Sequence, residues 1–533
     1  MSRRVLLFLS ILSIQSALSV DLGRLDNAKI YQSIEQKRIL PFIINILDSL
    51  IGTAYSISHE QNSLVKVRVS PSQELALQEQ EFIAARSRTT HRALENLLGR
   101  TIDPEHAPRI AFCFSGGGYR AMTMTLGFLQ GAQEMGLLDT ATYMAGLSGS
   151  TWAMAPWIAS KQDLSDYVER LGTKTAAGLQ PMISSVDRSK IRKKIINRLT
   201  HGQSLSAVDL YGDLLAHVLL ADHKDKRLDL RLPESHSHIS DGGYPMPIYT
   251  CVTTKVDPYE WVECTPFEIG CPYMKSYIPV NAYGRVFKEG ESSQYTPPLS
   301  LGYFMGMFGS AFDVATSDIV RLVGEELLKD TESLPGFVQA ALEGLFKLMV
   351  DGNPTDDTRL FPSKMANFGY KVGNHTLKDT KRLTLVDAGI DFNLPFPPLL
   401  RNNRNVDIII VYDCSSDNTD FDSLKGAKDW SIRNKAPFPE LDYNGLENAL
   451  VRVFKDERHP KAPVIIYFPM KKNPSYNPSF DPEKKSFCAT TNFTYSQAQI
   501  DLAAGLARYT LLEHEELIKD VIAEVVEAKE QRD

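Results

Sequence analysis

A short apolar run, Ile110–Ala111–Phe112–Cys113–Phe114, passes through Ser115 into three consecutive glycines, and this junction constrains the fold more than any other part of the 533-residue chain. Five apolar residues without polar alternation suit a strand buried on both faces, as in a parallel sheet. Gly116, Gly117 and Gly118 then let bare backbone N–H groups come close to whatever sits at the strand end. Residues Ala121 to Met135 read as a helix opening on that loop, its positive dipole end aimed at the same spot. Strand, glycine loop and helix together predict an α/β architecture.

The next apolar run, Tyr143–Met144–Ala145, leads into Gly146–Leu147–Ser148–Gly149–Ser150. This is a near variant of the G-x-S-x-G elbow, with Ser150 in place of the closing glycine; such an elbow exposes a serine hydroxyl on a sharp strand-to-helix turn. A serine nucleophile creates an oxyanion, and glycine N–H groups are suited to stabilise it. The pair of motifs therefore points to acyl transfer. Nucleotide binding is the competing reading of the glycines. A P-loop fails for want of Gly-Lys-Ser/Thr. Gly116, Gly118 and Ala121 do fit a dinucleotide fingerprint, but its acidic residue should end the following strand. Asp139 stands before that strand instead.

A net charge of −7 gives no reason to expect nucleic acid. Six cysteines are too few for a disulfide scaffold; Cys113 and Cys414 read as buried thiols, and one disulfide among Cys251, Cys264, Cys271 and Cys488 stays open. At the N-terminus Arg3 and Arg4 precede Val5–Leu6–Leu7–Phe8–Leu9, and Ala17–Leu18–Ser19 offers small residues for cleavage. This is the pattern of a secretory signal peptide over residues 1–19, and it predicts a secreted or secretory-pathway protein.

Residues 20–75 read as an N-terminal helical segment packing on the body, with an apolar patch at Ile39 to Ile51. Strand-like runs recur at Ile248 to Val256, Arg382 to Val386, Val406 to Tyr412 and Val464 to Phe468. The runs ending at Val386 and Tyr412 are each followed by an acidic residue, as in parallel strands whose C-terminal ends carry a site. The glycine-punctuated apolar stretch after Pro297, with Phe337, Ala341, Leu345 and Leu348 at helical spacing, suits either core packing or a lid within 290–380. Residues 516–533 read as a solvated helical tail. Arg188 to Leu199 is basic and amphipathic, either a membrane-facing helix or a surface helix packing Ile191 and Ile195 on the core.

A serine hydroxyl needs a proton acceptor. His459 is one candidate, giving a Ser–Asp–His triad, but it lies in the charged Arg458–His459–Pro460 loop. Asp387, at a strand end and followed by Ala388–Gly389, is the other; a carboxylate in a dry site can act as the base, or it can merely cap a turn.

The chain resembles the catalytic domain of the group IV cytosolic phospholipases A2 and, more loosely, the fungal lysophospholipases (phospholipases B) and patatins. The resemblance rests on SGGGYRAM at Ser115–Met122, ATYMAGLSGSTW ending at Trp152 and VDAGIDFNLPFPPLL at Val386–Leu400. MGMFGSAF at Met305–Phe312, WVECTPFEIG at Trp261–Gly270 and TTNFTYS at Thr490–Ser496 support it in collinear order. It implies a three-layer α/β/α patatin-like core with cap or lid insertions, and a catalytic domain spanning 76–515. It implies Ser148 as nucleophile, Asp387 as base, Gly117 and Gly118 as oxyanion donors and Arg120 near the substrate phosphate. Phospholipid membrane surfaces or micelles are the implied partners, with no metal and no cofactor. Two alternatives stand beside this: a general carboxylesterase using His459, and an inactive secreted lipid-binding protein. Tyr119 stands where the cytosolic members usually carry Phe, and the leader-like N-terminus is foreign to them.

Overall fold

A computed structural model describes residues 64–532 apart from 178, 202, 293–294, 311–362 and 417–419. The expected signal peptide, the Ile39–Ile51 patch and the apolar stripe from Phe337 to Leu348 lie outside the described residues.

Among the described residues twelve strands form one sheet. In chain order they are β1 (Arg68–Val69), β2 (Ile110–Phe114), β3 (Ala141–Gly146), β4 (Met246–Thr253), β5 (Glu260–Cys264), β6 (Glu268–Cys271), β7 (Ser276–Pro279), β8 (Ser363–Ala366), β9 (Arg382–Asp387), β10 (Ile408–Asp413), β11 (Arg452–Phe454) and β12 (Val464–Pro469). The spatial order is β1-β7-β6-β5-β4-β3-β2-β10-β12-β11, with β8 and β9 off this path. The centre, β4-β3-β2-β10-β12, is parallel; antiparallel strands extend it on both sides. Every residue of β2, β3 and β10 is buried. Successive side chains point to opposite faces, so both faces are covered, and the fold is the expected three-layer α/β/α arrangement.

The helices that position the site are α1 (Leu77–Leu98), α2 (Gly118–Glu134), α3 (Gly149–Ser160), α4 (Arg188–Thr200), α5 (Ala207–Leu219), α6 (Leu301–Phe308), α7 (Gln497–Glu513) and α8 (Glu515–Glu530). Helix α2 starts three residues before the expected Ala121, inside the glycine run. It is crossed so closely by α7 that a Cβ at Gly127 would lie 2.1 Å from the Ala504 carbonyl oxygen. Helix α8 buries Ile518, Val521, Ile522 and Val526, so the segment read as a solvated tail carries an apolar stripe into the body.

Strand β9 departs from the expectation of a parallel strand. It runs antiparallel to β4, with Asp387 opposite Cys251. Strand β4 is long enough to serve two neighbours in turn: its first half pairs with β3 up to Gly146 opposite Tyr249, and its second half with β9. The C-terminal ends of β3 and β9 therefore meet head to head along β4. Their last residues stand two positions apart, about 7 Å at the usual strand rise.

Away from that meeting point, an ion cluster fixes α1 to the sheet. Arg404, fully buried, donates to Glu79 at 2.8 Å and to Glu263 at 2.8 Å. Burial alone would raise Glu263, but Arg401 and Arg404 together hold its carboxyl below the usual range. Removing one partner from such a cluster would leave an uncompensated buried charge.

Candidate active site

Ser148 links β3 to α3 with φ 49° and ψ −125°, a backbone strained for any residue with a Cβ. The turn is held from three sides. The Ser148 N–H donates to the Phe308 carbonyl at 3.1 Å, and the Ser148 carbonyl accepts from the Thr151 N–H at 3.0 Å. The Ser150 hydroxyl accepts from the Leu147 N–H at 3.0 Å and lies 3.0 Å from the Phe114 carbonyl at the end of β2. That explains the irregular motif: the serine replacing the closing glycine ties the elbow to the strand that carries the glycine loop. Ser148 is 7% exposed.

The glycine loop lies directly over this elbow. Gly117 has φ 139° and Gly118 φ 62°, conformations that side chains resist. A Cβ at Gly149 would stand 2.1 Å from the Gly118 carbonyl oxygen and 2.9 Å from its nitrogen. No side chain caps α2 at Gly117, and first-turn N–H groups have no intrahelical acceptor. These are donors of the kind an oxyanion requires.

Asp387 is 1% exposed. Its backbone N–H donates to the Ser310 hydroxyl at 3.1 Å, and its Oδ1 accepts from the Gly389 N–H at 2.8 Å. Two residues are near neighbours of both the nucleophile side and the carboxylate side. Asn393 Oδ1 would be 2.6 Å from a Cβ at Gly116 and 3.1 Å from one at Gly389; the Leu147 side chain would be 2.8 and 3.7 Å from the same points. Those points also lie 2.8 Å from Ser148 Cβ and 3.2 Å from Asp387 Oδ1, respectively. His459 is placed elsewhere. It precedes β12, at the N-terminal end of a strand parallel to β2, whereas Ser148 follows the C-terminal end of β3. Its ring pairs with Asp456 at 2.9 Å and its side chain is 66% exposed.

Arg120 projects from the first turn of α2 and is 3% exposed. Its Nε donates to the Cys414 carbonyl at 3.0 Å and its Nη1 to the Cys488 carbonyl at 2.8 Å. Its Nη2 has no hydrogen-bond partner among the described residues and would be 2.7 Å from a Cβ at Gly117. The fork is thus braced by two carbonyls, with one donor spare beside the glycine loop. Tyr119 adjoins the Trp152, Phe493 and Tyr495 rings at centroid distances of 6.2, 5.4 and 6.1 Å, an apolar wall next to the loop. Burial, with Tyr119 and Asp387 nearby, pushes the Tyr211 phenol well above its ordinary range.

Two polar residues at the site carried no signal in the sequence. Asn393 accepts from the Gly116 N–H at 3.1 Å and donates to its carbonyl at 3.2 Å, clamping the loop. Ser310 supports Asp387. Both lie inside stretches with recognisable motifs, but neither occupies a position that local spacing marks. The basic helix α4 follows the second of its two readings: Ile191 and Ile195 are buried, Lys190 pairs with Asp229 at 2.6 Å, and Lys194 and Arg198 pair with Asp213 and Asp209. Its apolar face packs on the core.

The chain matches the family of the lysophospholipase catalytic domain over residues 110–429. It is 27% identical over 516 residues to human cytosolic phospholipase A2 zeta, covering 83% of this chain and 60% of that protein. Mouse cytosolic phospholipase A2 epsilon is 26% identical over 539 residues, covering 86% and 60%. The chain thus spans about 60% of the length of these curated relatives. The solved structure of human GIVD cytosolic phospholipase A2 superposes with a TM-score of 0.69 at 22% identity, covering 87% of this chain and 68% of that one. The same enzyme in complex with methyl gamma-linolenyl fluorophosphonate gives a TM-score of 0.67 at 22% identity, covering 88% and 66%. This likeness shows the fold.

The comparisons correct the expected location. The relatives are named cytosolic phospholipases A2, which overturns a secreted or secretory-pathway protein. Hydropathy read residues 1–19 by local pattern alone, and that pattern does not report where the folded chain resides. All six cysteines are buried free thiols, so no disulfide joins Cys251, Cys264, Cys271 and Cys488.

Proposed function

Since the chain belongs to the lysophospholipase catalytic-domain family, we propose that it is a cytosolic serine acyl hydrolase cleaving fatty-acyl esters of glycerophospholipids or lysophospholipids through Ser148 and Asp387. The head-to-head meeting of β3 and β9 on β4 is the observation that carries this reading. In the reaction, Ser148 Oγ attacks the ester carbonyl carbon and passes its proton to Asp387. The carbonyl oxygen becomes an oxyanion facing the Gly117 and Gly118 N–H groups. Collapse breaks the acyl–oxygen bond, and Asp387 returns the proton to the leaving glycerol oxygen. Water then attacks the acyl-serine with Asp387 again as base, releasing the fatty acid and free Ser148. The spare Nη2 of Arg120 suits the substrate phosphate. Burial of the serine and carboxylate keeps water from screening these interactions. A triad through His459 lacks support, since that ring lies at the opposite strand ends.

The test combines a lipid fluorophosphonate, of the class bound by the GIVD enzyme, with product analysis by mass spectrometry on mixed-acyl phosphatidylcholine and on lysophosphatidylcholine. Ser148 should carry the label, Ser148→Ala and Asp387→Asn should abolish fatty-acid release without unfolding, and His459→Ala should stay within a few fold. Full activity in Asp387→Asn would sink the assignment of the base; loss of labelling in His459→Ala would restore the triad.

A further inference from the structure

Helix α6 is only eight residues long, yet its C-terminal turn touches both halves of the site. Carbonyls near a helix end are open to donors from outside the helix; Met305, which also accepts from the Gly309 N–H at 3.2 Å, and then Met307 and Phe308 accept from Trp152, Ser310 and the Ser148 N–H. The Met305 carbonyl accepts from Trp152 Nε1 at 3.0 Å, and Trp152 lies on α3 directly after the elbow. The Phe308 carbonyl accepts from the Ser148 N–H at 3.1 Å. The Met307 carbonyl accepts from the Ser310 hydroxyl at 3.1 Å, and that hydroxyl in turn accepts from the Asp387 N–H at 3.1 Å. One turn of chain therefore holds the backbone of the nucleophile and the backbone of the base at once.

That turn is itself immobilised. A Cβ at Gly309 would fall 2.3 Å from the Trp152 indole, so the indole lies flush on the turn. On the other side, Gly212 of α5 meets Gly302 and Gly306 of α6: Cβ atoms at these positions would approach backbone at 2.4, 2.6 and 2.9 Å. Glycines at all three positions let the two helices approach to backbone contact. Ser310 is fully buried, so its hydroxyl has no water to replace the bonds it makes.

We propose that Ser310, at the C-terminal turn of α6, is a positioning residue that sets Asp387 relative to Ser148; the inference rests on the hydrolase reading above. Strand β9 is paired to β4 at Leu385, Val386 and Asp387, with the Thr254 N–H just beyond β4 donating to the Thr384 carbonyl, and its final residue leaves the strand into a short turn at Ala388–Ile390. The Ser310 bridge fixes that exit point to the same turn that fixes the elbow. Without the bridge, the elbow and the Asp387 backbone are no longer tied to one turn, although both strands still pair with β4, and a shift of about 1 Å between reacting groups costs on the order of 100-fold in rate.

The test uses Ser310→Ala, Ser310→Thr and Ser310→Cys in the full chain. For each, kcat and KM on lysophosphatidylcholine, the rate of Ser148 labelling by fluorophosphonate, and the melting temperature are measured. Ser310→Ala should lower kcat and the labelling rate together by roughly ten- to a hundredfold, with KM little changed, and Ser310→Thr should restore both. Ser310→Cys keeps the side-chain shape with a somewhat larger atom and weakens the bond; it should also lower kcat, and covers the case in which alanine unfolds the chain. Wild-type labelling and kcat in both Ser310→Ala and Ser310→Cys would overturn the inference while leaving the hydrolase intact. So would a loss that Ser310→Thr does not rescue and that tracks the melting temperature. A wild type that is neither labelled nor active overturns the hydrolase reading, and this inference falls with it.

Discussion

Gly149→Ala separates two effects of opposite sign. Gly149 opens α3, and within a helix alanine is favoured over glycine by about 1 kcal/mol, so helix propensity alone predicts stabilisation. The new Cβ, however, would sit 2.1 Å from the Gly118 carbonyl oxygen and 2.9 Å from both its carbon and its nitrogen. Real Cβ contacts do not fall below 3.0 Å, so the backbones must part by about 1 Å. Helix α2 is hemmed in behind: a Cβ at Gly127 would lie 2.1 Å from the Ala504 carbonyl, and one at Gly118 2.5 Å from the Thr490 carbonyl, so backbone lies close at both points. The strain therefore falls on Gly116–Gly118, the loop proposed to carry the oxyanion donors. Overpacking of this kind costs about 1–3 kcal/mol, which exceeds the gain from propensity. Moving the donors by about 1 Å should lower kcat on the order of 100-fold with KM within a few fold. The assay is initial-rate hydrolysis of mixed-acyl phosphatidylcholine in micelles, with thermal melting in parallel. Gly243→Ala, where nothing lies within 4 Å, is the control and should behave as wild type. A Gly149→Ala enzyme that is more stable and fully active would refute the close approach of loop and elbow.

Arg120→Ala should cut phospholipid turnover by roughly ten- to a hundredfold, the worth of a charge-assisted hydrogen bond, while sparing a neutral short-chain ester. Because Arg120 also braces the Cys414 and Cys488 carbonyls, the variant should melt earlier as well; equal loss on both substrates would reduce the arginine to that bracing role. His236 gives a pH-dependent stability. It is buried between the Ser235 hydroxyl at 2.8 Å and the Tyr249 phenol at 2.7 Å, and desolvation, then neighbouring His238, push it down to about 3. The unfolded imidazole takes its proton below about 6.5 while the folded one does not, so this contribution is present above pH 6.5 and is lost as pH falls toward 3. Urea midpoints between pH 7 and 4 should fall less steeply in His236→Gln than in wild type, and parallel slopes would contradict the assignment.

What the sequence could and could not convey follows from the range over which each feature is determined. The core strands were legible because burial on both faces demands unbroken apolar runs: the runs read at Val406 to Tyr412 and Val464 to Phe468 differ from β10 and β12 by two residues or fewer at each end. Ser148 was legible because an elbow is a local backbone device with a local pattern. Asn393 and Ser310 were not, since each acts on a residue far away in sequence, Gly116 across 277 positions and Asp387 across 77. Helix α4 carried a membrane-like face in sequence because the acids that pair with Lys190, Lys194 and Arg198, namely Asp229, Asp213 and Asp209, belong to other segments.

Asp387 is the instructive case. A strand end followed by Ala–Gly offered Asp387 as a base or as a turn cap, and the resemblance implied the base; the reading took β9 to run parallel to its neighbours. A parallel β9 would have placed Asp387 beside the end of β3, side by side with the elbow. The antiparallel β9 instead approaches from the far side and stops against it, sharing one edge of β4. The consequence is mechanical. A base carried on a strand adjacent to β3 would be held to it by ladder hydrogen bonds; a base that meets the elbow head-on has none to it. Beyond the pairing of both strands to β4, its distance to the elbow is then set by side-chain bridges at the junction, the place where the Ser310 hydroxyl and the carbonyls of α6 are found.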